Sequence, residues 1–299
     1  MKQAVSILFA TAFFLVNGVS LWAEDPLYEN VIVESFDGPS VSKFHKGATA
    51  RILQEDGSTK IVDISGKDVI WRVDNSLASR YATEGFPTSR YVNSWPIDLF
   101  GIDPENAEEL QALGVRAKFD RQGYNYFAVH VGTELDGEWS AQAMPLSPDN
   151  LPGRIKNINV WVWGAHYNYT IEMHVRDYQG VPHVLPMRVV SGVDRKKYRS
   201  GSLRFTGWRK MAAAVPNSVP QDSRYNLQDY RLQFVKFVVR TDPYERVDDF
   251  YIYFDQMQVI VDVYSNFYDG KNLARPDHIA NVWGTDAAEG DDAQTSGGQ

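Results

Sequence analysis

The 299-residue chain contains no cysteine. A disulfide framework, a thiolate metal site, an iron–sulfur cluster, a catalytic thiol and a lipidated cysteine are therefore excluded. It also lacks a positive surplus: 30 Lys and Arg stand against 38 Asp and Glu, a formal net charge of −8. Binding nucleic acid in general needs cations to neutralise phosphates, so nucleic acid is not an expected partner. Beyond the amino terminus no run approaches the ~18 apolar residues of a membrane span. The histidines number 6 and form no His-Glu-x-x-His pair and no helical or strand ligand spacing, so no metal site is expected. Gly-x-Ser-x-Gly, phosphate-loop and dinucleotide fingerprints are missing as well.

Aromatic residues are abundant: 15 Phe, 8 Trp and 16 Tyr. Such a load fills a large core and favours strands over helices. The amino terminus reads as an export signal spanning residues 1–23. One lysine precedes an apolar run from Ala4 to Val16, and Leu21-Trp22-Ala23 supplies a small residue before Glu24-Asp25-Pro26. The carboxy-terminal residues 271–299 read as a mostly disordered tail, since nothing larger than alanine is apolar from Asp286 onward. Residues 24–270 are expected to form a single domain with an amino-terminal extension and loops.

Within that span short segments alternate apolar and polar residues between turn signals. Val31, Lys60–Ile64, Val69–Val73, Val115–Phe119, Phe127–Val131, Ile158–Trp163, Ile171–Arg176 and Phe234–Val239 mark them. Period-two patterning of this kind specifies half-buried antiparallel strands, and many of them specify an all-β sandwich or jelly roll. One or two short helices are expected. Asp103 suits a cap, Pro104 the first helical position and Gly114 the stop, which predicts a helix over 103–113. A weaker helical turn is expected near Asp222 to Tyr230. A tight turn is expected at Asp177-Tyr178-Gln179-Gly180.

Several stretches carry a resemblance in a fixed order. They are Val160-Trp161-Val162-Trp163-Gly164, then Val175-Arg176-Asp177 with Gly180, then Phe205-Thr206-Gly207-Trp208-Arg209. Tyr251–Met257 and Gln258-Val259-Ile260-Val261-Asp262 complete the series. This series resembles the spirochaete periplasmic flagellar filament outer-layer (sheath) proteins of the FlaA type, most strongly from about Leu113 to Tyr264. The resemblance implies a jelly-roll sandwich similar to carbohydrate-binding modules and a coat on a flagellin core in the periplasm. It implies partners in the flagellin core filament and other sheath proteins, with glycans on the core as a further partner. A role in filament stiffness, curvature and motility follows. It supplies no catalytic residue, metal or cofactor.

Strand parity singles out contact candidates. Trp161 and Trp163 share a face with Asn159, opposite Ile158, Val160 and Val162. Glu172, His174 and Arg176 alternate with Ile171, Met173 and Val175 on the next strand. Were both sets on one sheet face, they would make a platform for a sugar ring or a partner protein. The plainer reading is a second core layer covered by loops. A lectin using Trp161 and Trp163 is the second functional reading and a periplasmic glycoside hydrolase the third. The hydrolase would need a carboxylate pair, for which Glu134, Asp136, Glu138, Asp248 and Asp249 are candidates, although runs of acids are usually solvated loops. Calcium held by Glu34, Asp37 and Asp255, as in modules of the resembled type, is weighed against ordinary turn carboxylates, which are preferred. Trp208 is read as a structural indole at a Gly-Trp bend.

Overall fold

The computed structural model describes residues 28–262, leaving out 40, 45–47, 55, 76–85, 102–104, 147–152, 191–200 and 222–231, together with residue 281. The export signal, the helical turn near Asp222 to Tyr230 and, but for residue 281, the tail lie outside the described residues.

The segments that alternate in the sequence form strands, and further strands that the alternation did not mark join them. In chain order they are β1 (Tyr28–Glu34), β2 (Thr49–Leu53), β3 (Thr59–Asp63), β4 (Ile70–Asn75) and β5 (Thr88–Val92). A single-turn helix α1 (Ile97–Phe100) precedes β6 (Ala112–Ala117), β7 (Tyr126–Leu135), β8 (Glu138–Ala141) and β9 (Met144–Pro145). Then come β10 (Arg154–Ala165), β11 (Thr170–Arg176), β12 (Pro182–Val189), β13 (Thr206–Ala214), β14 (Gln233–Arg240) and β15 (Phe250–Asp262). The main path runs β4-β7-β14-β11-β12-β13-β10-β15-β6-β5, with β1 beside β15, β8 beside β7 and β9 beside β14; β2 and β3 form a separate hairpin.

The path folds over at β12. Its first half, Pro182 to Pro186, pairs with β11, and its second half, Met187 to Val189, pairs with β13. While paired on one side only, β12 tolerates prolines, because the missing N–H groups would otherwise face the open side. Two antiparallel layers result: β4-β7-β14-β11 and β13-β10-β15-β6-β5. They meet through aromatic rings. Phe237 of β14 stacks on Phe254 of β15 with centroids 4.8 Å apart at 13°, and Phe127 of β7 tilts on Phe250 of β15 at 5.8 Å. Ile158, Val160 and Val162 of β10 and Ile171, Met173 and Val175 of β11 all point into this shared core. The all-β sandwich is as the alternation predicts.

The helix expected over 103–113 is not formed. Residues 105–109 make turns, and Ala112–Ala117 is strand β6, held between β15 and β5. Leu113, Val115 and Ala117 are core residues, so burial across two ladders overrides the local cap and stop signals. Gly114 serves the sheet instead. The Tyr253 ring lies over it, and a Cβ there would stand 2.8 Å from that ring. Helix α1 ends at Gly101, whose N–H bonds the Ile97 carbonyl at 2.7 Å.

The turn at Asp177 forms as expected. Gly180 N–H donates to the Asp177 carbonyl at 3.0 Å, and Gly180 has φ of 84°. The Asp177 carboxylate accepts from the N–H groups of Gln179 and Val181, both at 2.9 Å, and from His183 Nε2 at 2.8 Å. Burial alone would raise its pKa, but these donors outweigh burial and hold it below the usual carboxylate range.

Gly132 on β7 marks a close approach. A methyl added there would strike the Ser140 carbonyl of β8 and stand 2.8 Å from the Trp139 ring. Gly132→Ala is expected to push β8 off β7 and cost about 1–3 kcal/mol in urea unfolding. An unchanged midpoint would show that the hairpin yields freely.

Candidate functional site

The two outer faces of the sandwich carry different chemistry, and strand order decides which residue lies on which. The connection from β10 to β11 crosses between layers, so Trp161 and Trp163 lie on the outer side of one layer. Glu172, His174 and Arg176 lie on the outer side of the other. The single platform combining both sets is therefore not formed.

On the β10 side, cross-strand pairing assembles an aromatic row. Trp208 of β13 stands opposite Trp163, and Trp163 stands opposite Tyr253 of β15. The Trp163 and Tyr253 rings meet edge to face with centroids 5.4 Å apart. Trp163, Trp208, Tyr251 and Tyr253 are half-buried. Arg116 of β6 closes one end, its guanidinium 4.8 Å from the Phe86 ring centroid and 5.3 Å from that of Tyr251, with Nε donating to Asp249 at 3.1 Å. Trp208 thus belongs to the face that the sequence assigned to Trp161 and Trp163. Alternation within each strand marks Trp208, Tyr251 and Tyr253 as outward, but only the register puts them beside Trp163.

The next row pairs Lys210 of β13 with Trp161, and Trp161 with Asp255 of β15. Trp161 is 8% exposed and Asp255 1%. Here β15 bulges: Asn159 faces Gln258 but Trp161 faces Asp255, and Gln256 has φ of 45°. The extra residue keeps Phe254 and Met257 both in the core while turning Asp255 outward. Trp161 Nε1 and Asp255 Oδ1 have no hydrogen-bond partner. Burial, with the Asp37 charge nearby, pushes the Asp255 carboxyl up to about 8. Gln258 ties the row together, its Oε1 accepting from Asn30 Nδ2 at 3.1 Å and from Lys210 Nζ at 3.3 Å.

On the opposite layer the outer face is charged. Arg72 of β4, His130 of β7, Lys236 of β14 and His174 of β11 face one another in register. Burial, followed by the Lys236 and His174 charges, lowers the His130 pKa despite Asp74. Glu172 accepts from Arg240 Nε at 2.8 Å and lies 3.2 Å from His174 Nε2. Arg240 also sits 5.6 Å from the Tyr126 ring centroid, and Arg72 5.2 Å from that of Trp139. Arg176 borders a cleft of about 220 Å³ with Gln142, Tyr178 and Gln233.

The other candidates separate. Glu34 is buried, accepting from Phe36 N–H at 2.9 Å, Ser42 Oγ at 2.6 Å and Trp71 Nε1 at 3.3 Å. Among the described residues, no group of three or more His, Cys, Asp or Glu side chains is placed to hold a metal ion. Glu134, Asp136 and Glu138 sit on the exposed β7–β8 hairpin, whose Asp136-Gly137 pair has φ of 53° and 83°. These left-handed angles suit a tight hairpin turn. Asp248 and Asp249 are exposed and bonded by Arg246 and Arg116. None of these acids lines the cleft beside Arg176. No helix among the described residues is long and apolar enough to cross a membrane.

Residues 49–268 match the family model described as flagellar filament outer layer protein FlaA. A Brachyspira hyodysenteriae protein described as flagellar filament outer layer-like is 25% identical over 173 residues, 58% of this chain and 67% of that protein. Among solved structures, the carbohydrate-binding module TmCBM61, determined with β-1,4-galactotriose, is 13% identical at a TM-score of 0.30. It covers 64% of this chain and 88% of its own. The family 11 carbohydrate-binding module of the Clostridium thermocellum cellulase Lic26A-Cel5E is 10% identical at a TM-score of 0.28, over 72% and 96% of the two chains. With its match running from β2 past the end of β15, the chain belongs to the FlaA family of flagellar filament outer layer proteins.

Proposed function

We propose that this protein is a non-catalytic structural subunit of the outer layer of a periplasmic flagellar filament. It is exported by its amino-terminal signal and coats a flagellin core, to which it adds stiffness and curvature. Family membership supports the layer, and the row Trp208-Trp163-Tyr253 supports the mode of attachment. Half-buried aromatic rings beside Arg116 and Lys210 are the composition of an interface anchor, where large rings bury much area and cations set register. Individually weak contacts suffice, because many repeat along a filament.

Filaments isolated under gentle conditions are expected to carry the protein. Trp163→Ala combined with Tyr253→Ala is expected to reduce its recovery on filaments at least tenfold while the purified protein keeps its strand spectrum. Absence of the wild-type protein from intact filaments would overturn the reading.

A second reading, a carbohydrate-binding protein, is favoured by one observation. The unpartnered Trp161 N–H and Asp255 carboxyl oxygen beside aromatic rings match the donor and acceptor needs of a hydroxyl-rich ligand. A glycan-induced shift of tryptophan fluorescence that Trp161→Ala abolishes would favour it over a purely protein contact.

A further inference from the structure

Strand β1 leaves an open sheet edge. Residues 28–32 of β1 and 154–159 of β10 both pair with residues 258–262 of β15, so they flank it on opposite sides. Among the described residues β1 pairs with no strand on its other side. Tyr28, Glu29, Asn30 and Ile32 are exposed, Tyr28 at 53% and Ile32 at 54%. An open edge presents a row of unpaired N–H and C=O groups and templates a further strand. Proteins therefore guard such edges with charges, lysine above all, with proline or with a bulge. The strands that end the main path carry an arginine each, Arg72 in β4 and Arg90 in β5. Tyr28–Glu34 has no lysine, arginine or proline, and its bulge comes only after Ile32. Glu29 is the one charge in the exposed part. Tyr28, Asn30 and Ile32 form the outward side, because Val31 and Val33 pack on the core and Asn30 Nδ2 bonds Gln258 on the outer face.

We infer that the β1 edge pairs antiparallel with the β1 edge of a second copy of this chain, about a two-fold axis through Asn30. The side chains select that occupant and that register. With Asn30 opposite its own counterpart, Tyr28 stands opposite Ile32 and Ile32 opposite Tyr28, two aromatic–aliphatic pairs of the kind that stabilise sheets. Glu29 then faces Val31, so no like charges stand directly opposite. Asn30 spends one amide N–H on Gln258, which leaves its oxygen and other N–H for the asparagine across the axis. An axis at Val31 would set Asn30 against Ile32 and Tyr28 against Glu34, exchanging both apolar pairs for mixed ones. A contact over residues 28–32 is small beside the about 20–30 residues a side of a standard interface, so the association is weak and concentration-dependent. Antiparallel pairing turns one copy about the normal to the sheet, which keeps both outer faces on the same side. The joined sheet presents the Trp208-Trp163-Tyr253 rows of both copies to one surface, and two rows hold more tightly than one. This bivalent hold depends on the outer-layer reading; the pairing of β1 edges does not.

Sedimentation velocity of the purified protein over a concentration series is expected to show a monomer–dimer equilibrium. Ile32→Lys guards the edge and is expected to weaken association at least tenfold, as is Tyr28→Glu. An equimolar mixture of the two is expected to regain it, because one Tyr28–Ile32 pair stays intact and the introduced lysine meets the introduced glutamate. These positions are exposed, so the variants should fold, as strand circular dichroism will check. A chain without cysteine also permits direct mapping of the register. Asn30→Cys is expected to cross-link to itself on mild oxidation, since directly opposed Cβ atoms lie about 4.5–5.5 Å apart. Ile32→Cys alone is expected not to, because its counterpart lies four residues along the strand, about 13 Å away. Mixed with Tyr28→Cys it should cross-link. A wild type that stays monomeric, its edge left to another occupant, would overturn the inference. So would association that Ile32→Lys leaves intact, a mixture that stays dissociated, or cross-linking of Ile32→Cys alone in place of Asn30→Cys. The filament reading fails separately, by absence of the protein from isolated filaments; self-association in solution would survive that result.

Discussion

At about pH 9 the Asp255→Asn protein is expected to be more stable than wild type by on the order of 3–5 kcal/mol, and at about pH 4 the two are expected to coincide. The reason is the position of Asp255 on the β15 bulge. It is 1% exposed, one carboxyl oxygen is unpartnered, and the Asp37 charge is near. Burial first, then Asp37, raises its pKa from the usual 3.8 to about 8. The sign follows from proton counting. Below the unfolded value both states are protonated and the site is neutral in effect. Between roughly 4 and 8 the unfolded chain gives up its proton while the folded chain keeps it, so stability falls as pH rises. Above about 8 the folded state carries a buried charge and the full cost persists. Asparagine has nearly the same shape and cannot ionise, so it removes that cost. Full titration of the raised pKa at about 1.4 kcal/mol per unit sets the ceiling, and relaxation and water penetration bring it down to the range given. Thermal melts of both proteins across pH decide it: parallel curves would mean that Asp255 is ionised in the fold without penalty.

The second large effect is expected at Trp71. Trp71→Ala should lower the unfolding free energy by about 4–5 kcal/mol, near the upper end for truncating a buried aromatic residue. The Trp71 ring is 5% exposed and packs on Phe36 at 5.0 Å, Phe234 at 5.5 Å and Phe237 at 6.3 Å between centroids. It therefore joins β4 to the chain leaving β1 and to the Phe237–Phe254 stack between layers. Its Nε1 also donates to buried Glu34, whose pKa burial already raises against the donors Ser42, Phe36 and Trp71. Removing the indole opens a cavity and takes a donor from a desolvated carboxyl. Trp71→Phe separates the two terms: it keeps most of the packing and should cost only the lost hydrogen bond and residual void, about 1–3 kcal/mol. Guanidinium unfolding of the three proteins measures both. A Trp71→Ala loss below about 1 kcal/mol would show that the layers do not depend on this ring.

How far the candidate site was legible follows from particular residues. The alternation Ile158-Asn159-Val160-Trp161-Val162-Trp163 reads directly as a strand with a tryptophan face, because a one-residue slip would expose three aliphatic side chains. The same holds for Ile171–Arg176. That Glu172, His174 and Arg176 share no face with the tryptophans was not legible, because adjacency in sequence does not decide adjacency in a sheet. β10 pairs with β13 and β15, and β11 with β12 and β14. Nor was the burial of Asp255 legible, since it depends on one extra residue in β15 relative to β10. The segment 103–113 misled in the other direction. Its proline, acids and glycine are helix signals of about 1 kcal/mol each, and burial of Leu113, Val115 and Ala117 in a two-sided ladder outweighs them.

By itself the sequence determined the class of fold and, for the segments that alternate, which side faces inward, because period-two alternation is a local consequence of the pleat. It also determined that cohesion rests on aromatic and aliphatic packing, since a chain without cysteine has no disulfide to draw on. Only the tertiary structure decided which strands are neighbours, and with that which side chains share a surface. An aromatic row on one face and a field of charges of both signs on the other arise from long-range pairings such as Trp163 with Tyr253 and His174 with Lys236. Those pairings are selected by how two layers bury their faces together, a property of the whole chain that no single segment carries.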